Sequence, residues 1–268
     1  HELFDAGRID YHPVFPGKPG YAARRIDSDD DVRDVIRLIR MNYDRAVANH
    51  GLPGEDAEAR TEIDGLHPLA PEALPFAPSH DIRAFVLRRE RGNLLVYSTR
   101  TVSDNDARVR KLGGIARHYL NHGHEAMFAS DDIGAPLFVH ERERRSVERS
   151  YHVRGTFSKR HVLDEDFEVI PTPGHTPGAT AYLWDSGEHR FLFTGDTIYL
   201  DRGEWVAAVL ESSDRERYVD SLKLIRELDF DVLVPWAATA GEPYHAMTNA
   251  TDARRRIDAI VDRISGRT

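Results

Sequence analysis

The feature that most constrains the fold is a tight turn at residues 173–178, with the sequence Pro-Gly-His-Thr-Pro-Gly. Its prolines and glycines restrict the path of the backbone, so that His175 is held on a defined loop. A short apolar strand is predicted before the turn, at residues 167–170, and another after it, at residues 179–184. Loops between strands are where a rigid scaffold usually presents catalytic and binding groups, so His175 is a candidate functional residue.

Two further segments also follow predicted strands. The sequence His-Gly-His at residues 122–124 follows a strand at 116–120, and Asp196 follows the apolar residues 191–193. Two imidazoles one residue apart can bind one ion if the backbone turns between them, which Gly123 permits. Three histidines and one aspartate form a suitable set of nitrogen and oxygen ligands for zinc. We therefore predict a metal site formed by His122, His124, His175 and Asp196.

In this order, the three segments resemble those of the metallo-β-lactamase superfamily, and in motif style they are similar to glyoxalase II-like hydrolases. The Pro-Gly-His-Thr-Pro-Gly turn is the most specific part, and the resemblance covers the chain from Phe76 onward. It implies an αβ/βα sandwich with the site at one edge. It also implies that His122, His124 and His175 bind a first metal ion, and that Asp196 bridges or completes this site.

The chain departs from the family at the positions that bind a second metal ion. The family pattern is His-x-His-x-Asp-His, whereas Ala126 and Met127 stand at its fifth and sixth positions here. Neither side chain is a usual ligand for a hard or borderline cation. A late family histidine is also missing, because the matching stretch at residues 234–238 reads Val-Pro-Trp-Ala-Ala. All these losses fall in one coordination sphere, which predicts a degenerate active site with at most one metal ion.

The rest of the pattern predicts an α/β (α+β) fold, with strands through the middle of the chain and helices between them. We expect residues 76–268 to form the four-layer αβ/βα sandwich. Residues 1–75 are predicted to be an N-terminal helical extension: an arm, an amphipathic helix from Asp29 to His50 and a proline-rich linker. The helix is expected to pack on the main domain, and a role in dimer formation or partner binding is left open.

Composition limits the partners and the metal ligands. The 268 residues include no cysteine, so a metal ion must be bound by histidines and carboxylates. The net charge of -9 argues against binding to nucleic acid. No apolar run approaches the ~20 residues of a membrane span, and no signal-peptide pattern is visible. We expect a cytoplasmic protein that acts on a small molecule without nucleic acid or membrane; a homodimer and a segment before His1 are left open.

The favoured function is a hydrolase-like enzyme that uses at most one metal ion on a small ester or thioester. Zinc is the expected ion, with iron or manganese as alternatives. Asp196 would be a fourth ligand or accept a proton from water, and Glu125 is a candidate replacement base. Substrate contacts are expected from Tyr199, Arg202 and Trp236. Trp236 is alternatively a core residue, or fills the space of the lost metal pocket.

Two other functions remain open on the sequence. One is a metal-free pseudoenzyme that serves as a binding or structural module, because Ala126 removes the usual water-orienting aspartate and a fold alone does not establish activity. The other is a mononuclear iron oxygenase-like enzyme, because two histidines and one carboxylate with open positions can hold iron for oxygen chemistry. Metal content distinguishes these functions.

Overall fold

The computed structural model describes residues 10–11, 22–23, 28, 30–33, 35–36, 39, 63–130 and 133–266, and divides the chain into two compact units, His1–Thr61 and Glu62–Thr268. In the first unit, strands β1 (Asp10–Tyr11) and β2 (Ala22–Ala23) are antiparallel. Residues 30–33, 35, 36 and 39 are helical, and Ser28 Oγ accepts a hydrogen bond from Asp31 N at 3.3 Å. The sequence offers Ser28 or Asp29 as the cap of the predicted helix, and the structure shows Ser28 in that role. The part of the prediction beyond residue 39 lies outside the described residues.

The described part of the second unit contains two six-stranded sheets and one five-stranded sheet. The first sheet has the spatial order β10 (Val153–Phe157), β9 (Leu137–His140), β8 (Arg117–Tyr119), β7 (Leu94–Val96), β6 (Phe85–Leu87), β3 (Leu66–Pro68). The second has the order β11 (His161–Leu163), β12 (Phe167–Pro171), β13 (Thr180–Asp185), β14 (Arg190–Gly195), β17 (Val232–Pro235), β19 (Ala246–Met247). The third has the order β16 (Glu204–Val206), β15 (Tyr199–Asp201), β18 (Ala237–Thr239), β5 (Ala77–Ile82), β4 (Glu72–Leu74).

Helices lie between these strands in the described residues. They are α1 (Asp106–Lys111), α2 (Arg144–Val147), α3 (Arg215–Arg226) and α4 (Ala250–Ser265), with 3-10 helices at Arg100–Asn105 and Gly123–Phe128. The side chain of Asp214 caps α3 by accepting from Arg217 N at 3.1 Å, and Asn249 caps α4 by accepting from Thr251 N at 3.0 Å. No helix in the described part of the chain is long and apolar enough to cross a membrane.

The layers follow from the alternation of side chains along the strands. In β13, Tyr182 and Trp184 join the core that contains residues of both six-stranded sheets, whereas Ala181 and Leu183 face the opposite side. That opposite side is covered by apolar residues of α3 and α4, and α2 contributes Val147 to a third cluster beside the first sheet. The predicted αβ/βα sandwich is confirmed.

The stretch predicted to be a proline-rich linker is partly strand. Residues 66–68, 72–74 and the start of β5 pair within the sheets of the second unit. Each of these strands is only a few residues long, and its stability depends on the neighbouring strand. The amino-acid pattern of so short a segment therefore does not predict a strand. The assignment of residues 1–75 as one extension stays a prediction, as does its role.

Candidate metal centre

The site lies where three strands of the sandwich end at a common edge. The loop after β8 carries His122 and His124, the turn after β12 carries His175, and Asp196 directly follows β14. A backbone hydrogen bond of 2.9 Å from Thr180 N to Asn121 O joins the first of these loops to the start of β13. The four predicted ligands are thereby brought together, and one ligand atom from each lies within 4.8 Å of the others.

The nitrogen and oxygen atoms of the four side chains converge on one point. Asp196 Oδ2 lies 3.3 Å from His122 Nε2 and 3.5 Å from His175 Nε2, and His124 Nδ1 lies 3.1 Å from His175 Nε2. The three imidazole planes are nearly perpendicular to one another, at 80° to 87°. His122 Nε2 is buried and has no hydrogen-bond partner among the described atoms. An unpartnered buried nitrogen beside a carboxylate and two imidazoles fits a metal ion such as zinc.

His175 is oriented from outside the site. Its Nδ1 lies 2.6 Å from Ala208 O, so Nδ1 carries the proton and donates it, leaving the Nε2 lone pair directed at the cluster. The turn itself packs against α3: at Gly174, which has a φ of +147°, a Cβ would lie 2.6 Å from Tyr218 N. Only glycine fits this contact, which explains the glycine of the motif.

Glu125 supports the opposite side of the cluster and is fully buried. Its Oε1 accepts hydrogen bonds from Asn121 N at 2.7 Å and His122 N at 3.1 Å, and its Oε2 accepts from Ser98 N at 3.0 Å. The same Oε1 lies 3.3 Å from His122 Nδ1. These contacts place Glu125 behind His122, where it can position the imidazole. It is not among the residues that line the cavity, and its role as a replacement base stays a prediction.

A second buried carboxylate, Glu143, was not predicted from the sequence. Its Oε2 accepts from Gly123 N at 3.0 Å and its Oε1 accepts from Gly178 N at 2.7 Å. A Cβ at Gly123 would lie 2.5 Å from Oε2, and one at Gly178 would lie 2.8 Å from Oε1. Glu143 thus joins the two histidine-bearing loops, but it stands in a run of charged residues that looks like an ordinary solvated segment.

The position of Asp196 is fixed by the buried Tyr97. The Tyr97 hydroxyl donates to Val234 O at 2.8 Å and accepts from Gly195 N at 2.8 Å. Gly195 has a φ of +55°, and a Cβ there would overlap the side chain of Asn121. The end of β14 is therefore held both to β17 and to the loop that precedes His122.

The electrostatics of the cluster couple its members. Burial lowers the pKa of His122, but the negative charges of Asp196 and Glu125 outweigh burial and raise that pKa to about 10. Burial raises the pKa of Asp196, but the charge of His122 outweighs it, and the pKa lies below its usual value. Burial lowers the pKa of His175 to about 4, and the charge of His122 acts in the same direction. The proton on His122 supplies the positive charge beside the anionic Asp196, and a bound cation would supply that charge in its place.

The positions of the family's second metal carry apolar side chains. Ala126 is buried in an apolar cluster with Leu120 and Val147, and Met127 is exposed. The Trp236 ring lies 5.5 Å from the His122 ring, and its Nε1 donates to Ser98 O at 2.9 Å. Among the described residues, the four predicted ligands form the one group able to hold a metal ion.

The predicted substrate contacts divide into two groups. Tyr199 and Trp236 line a cavity of about 600 Å³ that opens beside His124, His175 and Asp196. Arg202 does not line this cavity: it is exposed in the turn between β15 and β16, where its backbone N donates to Thr239 Oγ1 at 2.8 Å. The structure therefore places Arg202 apart from the residues with which it was predicted to act.

A family model described as the metallo-beta-lactamase superfamily matches residues 106–237, which include all four clustered side chains. The chain is similar to this superfamily over just under half of its length, and the predicted resemblance is confirmed there. A hydroxyacylglutathione hydrolase from Erwinia tasmaniensis is 30% identical over 98 residues, covering 37% of this chain and 36% of that protein. The match therefore spans about a third of that relative, and agrees with the predicted resemblance to glyoxalase II-like hydrolases.

Solved structures show the same fold at low sequence identity. A metallo-beta-lactamase from Pontibacter korlensis has a TM-score of 0.57 at 13% identity and covers 75% of this chain and 96% of its own. A metallo-beta-lactamase family protein from Thermus thermophilus has a TM-score of 0.53 at 17% identity, covering 76% and 81%. ETHE1 from Myxococcus xanthus has a TM-score of 0.52 at 16% identity, covering 75% and 91%. These likenesses concern the fold alone.

Proposed function

We propose that this protein is a hydrolase that uses one metal ion, bound by His122, His124, His175 and Asp196, to act on a small ester or thioester. The convergence of these four side chains carries the proposal, since their ligand atoms lie within 4.8 Å of one another. The apolar side chains of Ala126, Met127 and Trp236 support the limit of one ion. The match of residues 106–237 to the metallo-beta-lactamase superfamily supports the reaction type.

The residues of the site would have two roles, which are to bind and orient the metal ligands and to transfer a proton. A zinc ion held by this set would supply Lewis acidity to a carbonyl oxygen and lower the pKa of a water molecule towards ~7. Ala208 and Glu125 hold the imidazoles of His175 and His122 in orientation. Asp196 is anionic and lines the cavity, so it would serve as the fourth ligand or would accept the proton that water loses on attacking the carbonyl carbon.

Metal content is the direct test of this proposal. We expect the full chain, purified and then reconstituted, to bind close to one equivalent of zinc by mass spectrometry, and a His175→Ala variant to lose it. His189→Gln is the matched control, because His189 is partly exposed and contacts Asp231 rather than the cluster. Zinc binding should be accompanied by hydrolysis of 4-nitrophenyl acetate, which His175→Ala abolishes.

Each other result favours a different function. Less than about a tenth of an equivalent of zinc, iron or manganese after reconstitution would overturn the proposal in favour of a metal-free binding module, since a preformed histidine site that is competent takes up metal at neutral pH. Iron together with oxygen consumption would favour the oxygenase-like function. Two equivalents of metal would contradict the mononuclear site.

A further inference from the structure

The cavity beside the metal centre is walled mainly by apolar side chains from separate parts of the chain. It begins at His124, His175 and Asp196, which form its polar end. Its volume of about 600 Å³ falls within the range of small-molecule sites. The apolar walls come from Leu74, Phe76, Met127, Phe128, Val209 and Leu210.

These walls are exposed to an unusual degree. Among the described residues, eight large hydrophobic side chains are exposed, and three of them line this one cavity. They are Phe76 at 73%, Met127 at 59% and Leu210 at 41% exposure. Isolated exposed hydrophobics are ordinary on protein surfaces, but a group of them around a concave site marks a place where an apolar ligand is bound.

The charged groups around the cavity disfavour an anionic ligand away from the metal centre. No lysine or arginine is among its lining residues, and its one carboxylate, Asp196, belongs to the metal centre. The one lining histidine outside that centre, His80, has its Nε2 3.5 Å from Asp201 Oδ1. Arg100 is not a lining residue: its guanidinium lies over the Phe128 ring and forms an ion pair of 2.7 Å with Glu72. An anionic part of a substrate would therefore lose its hydration without gaining a cationic partner in the walls.

Some residues at the positions of the family's second metal site also form the apolar walls of the cavity. Met127, Trp236 and Ala237, which stand at or beside the family's missing ligand positions, all line the cavity. The replacements thus remove metal ligands and at the same time create an apolar surface next to the remaining ion.

We infer that this cavity binds the uncharged, apolar acyl group of the substrate, so that the enzyme prefers apolar acyl esters or thioesters to anionic ones. This inference rests on the proposed function and names the substrate class for it. The acyl chain would lie against Met127 and Phe76, while its carbonyl group lies at the polar end near His175 and Asp196.

A pair of esters of equal length tests the preference for an uncharged acyl group. We expect the zinc-reconstituted full chain to hydrolyse 4-nitrophenyl butyrate with a kcat/KM at least about tenfold higher than for 4-nitrophenyl hemisuccinate, because the walls offer the terminal carboxylate no partner. From acetate to hexanoate, kcat/KM should rise with each added methylene by up to about fourfold, the effect of burying one methylene. Equal rates, or a preference for hemisuccinate, would overturn the inference.

Two matched methionine variants test whether the preference for an apolar acyl group arises in this cavity. Met127 lines the cavity at 59% exposure, whereas Met247 is 55% exposed on β19 and does not line it. We expect Met127→Lys to remove the dependence on acyl length and to narrow the preference for butyrate over hemisuccinate, while Met247→Lys leaves both unchanged. If the two variants behave alike, the cavity does not select the acyl group.

A binding measurement separates this inference from the proposed hydrolysis. The neutral fluorophore N-phenyl-1-naphthylamine should bind the full chain with or without zinc, be displaced by hexanamide, and be lost in Met127→Lys but not in Met247→Lys. Binding with this pattern in the absence of any esterase activity would overturn the hydrolase and retain the apolar site. No binding, together with a dimer that Met127→Lys dissociates, would show that the surface is an interface between copies and would overturn the inference.

Discussion

At the scale of single residues, the ligand types could be predicted but their orientation could not. His122, His124 and His175 were identified from short motifs, because glycine and proline fix the backbone around them. The choice of ring nitrogen depends on partners remote in sequence, such as Ala208 O on His175 Nδ1. The role of Glu125 likewise depends on Ser98, which belongs to a different loop.

A prediction at this scale concerns Glu125. In Glu125→Gln, an NH2 group, which cannot accept a hydrogen bond, replaces one carboxylate oxygen. Either Ser98 N or the pair Asn121 N and His122 N then loses its acceptor. We expect the free energy of unfolding to fall by about 2 to 4 kcal/mol and zinc affinity to weaken by about 10- to 100-fold. Urea denaturation and competition with a chelator would measure these changes.

The control for that variant is Glu148→Gln on the protein surface. Glu148 forms an exposed ion pair with Arg144, and such pairs contribute little to stability. An unchanged zinc affinity in Glu125→Gln, in a protein that still folds, would show that the carboxylate does not position His122.

At the scale of elements, the longer strands and helices could be predicted and the short paired strands could not. Apolar residues that recur along continuous segments predict a hairpin at 179–184 and 190–193 and helices at 214–228 and 251–264. The structure confirms them as the hairpin of β13 and β14 and the helices α3 and α4. The five-stranded sheet was not predicted. Its strands β15 and β18 pair through Leu200 and Ala238, which are far apart in the chain.

A prediction at this scale concerns the turn that carries His175. In Gly174→Ala, the added Cβ meets the backbone of Tyr218 in α3, so either the turn or the helix must shift. We expect the free energy of unfolding to fall by about 3 kcal/mol or more, since a positive φ and an overlap with rigid backbone both act.

Gly187→Ala is the matched control, because Gly187 has a φ of +90° and open space around its Cβ position. It should lose only about 1 kcal/mol, the cost of the backbone conformation alone. Thermal or urea denaturation of both variants gives the comparison. Equal losses would mean that the contact with α3 does not constrain the turn.

At the scale of the whole molecule, the four layers could be predicted because the strands of the second sheet are buried on both faces. β14 places Phe191 and Phe193 in the inner core and Leu192 in the outer one, which accounts for its continuous apolar sequence. The buried polar groups of the sandwich could not be predicted in the same way. His118 is isolated in the sequence, which indicates either a surface or a structural residue, and the structure shows it buried with its Nε2 2.8 Å from Tyr97 O.

A prediction at this scale is the acid sensitivity of the folded state. Burial lowers the pKa of His118 to about 4, so the unfolded chain, with a histidine pKa of about 6.5, takes up the proton first. The contribution of His118 to stability is therefore constant above pH ~6.5 and is lost as the pH falls towards ~4, with about 2 kcal/mol lost by pH 5.

Urea denaturation at pH 7.5 and pH 5 would test this expectation. The stability difference between the two pH values should be smaller in His118→Gln than in the wild type by about that 2 kcal/mol. A His189→Gln variant at a partly exposed histidine serves as the reference. An unchanged difference in His118→Gln would contradict the expected proton linkage.

The bridge that Glu143 makes between Gly123 and Gly178 bears on how quickly the centre can be filled. Both histidine-bearing loops are tied to one buried carboxylate, so neither has to become ordered when an ion arrives. We therefore expect that metal binding would lose little free energy to conformational entropy, and that its rate would depend on passage through the cavity rather than on a folding step. The protein with and without the ion should have the same backbone arrangement at the site.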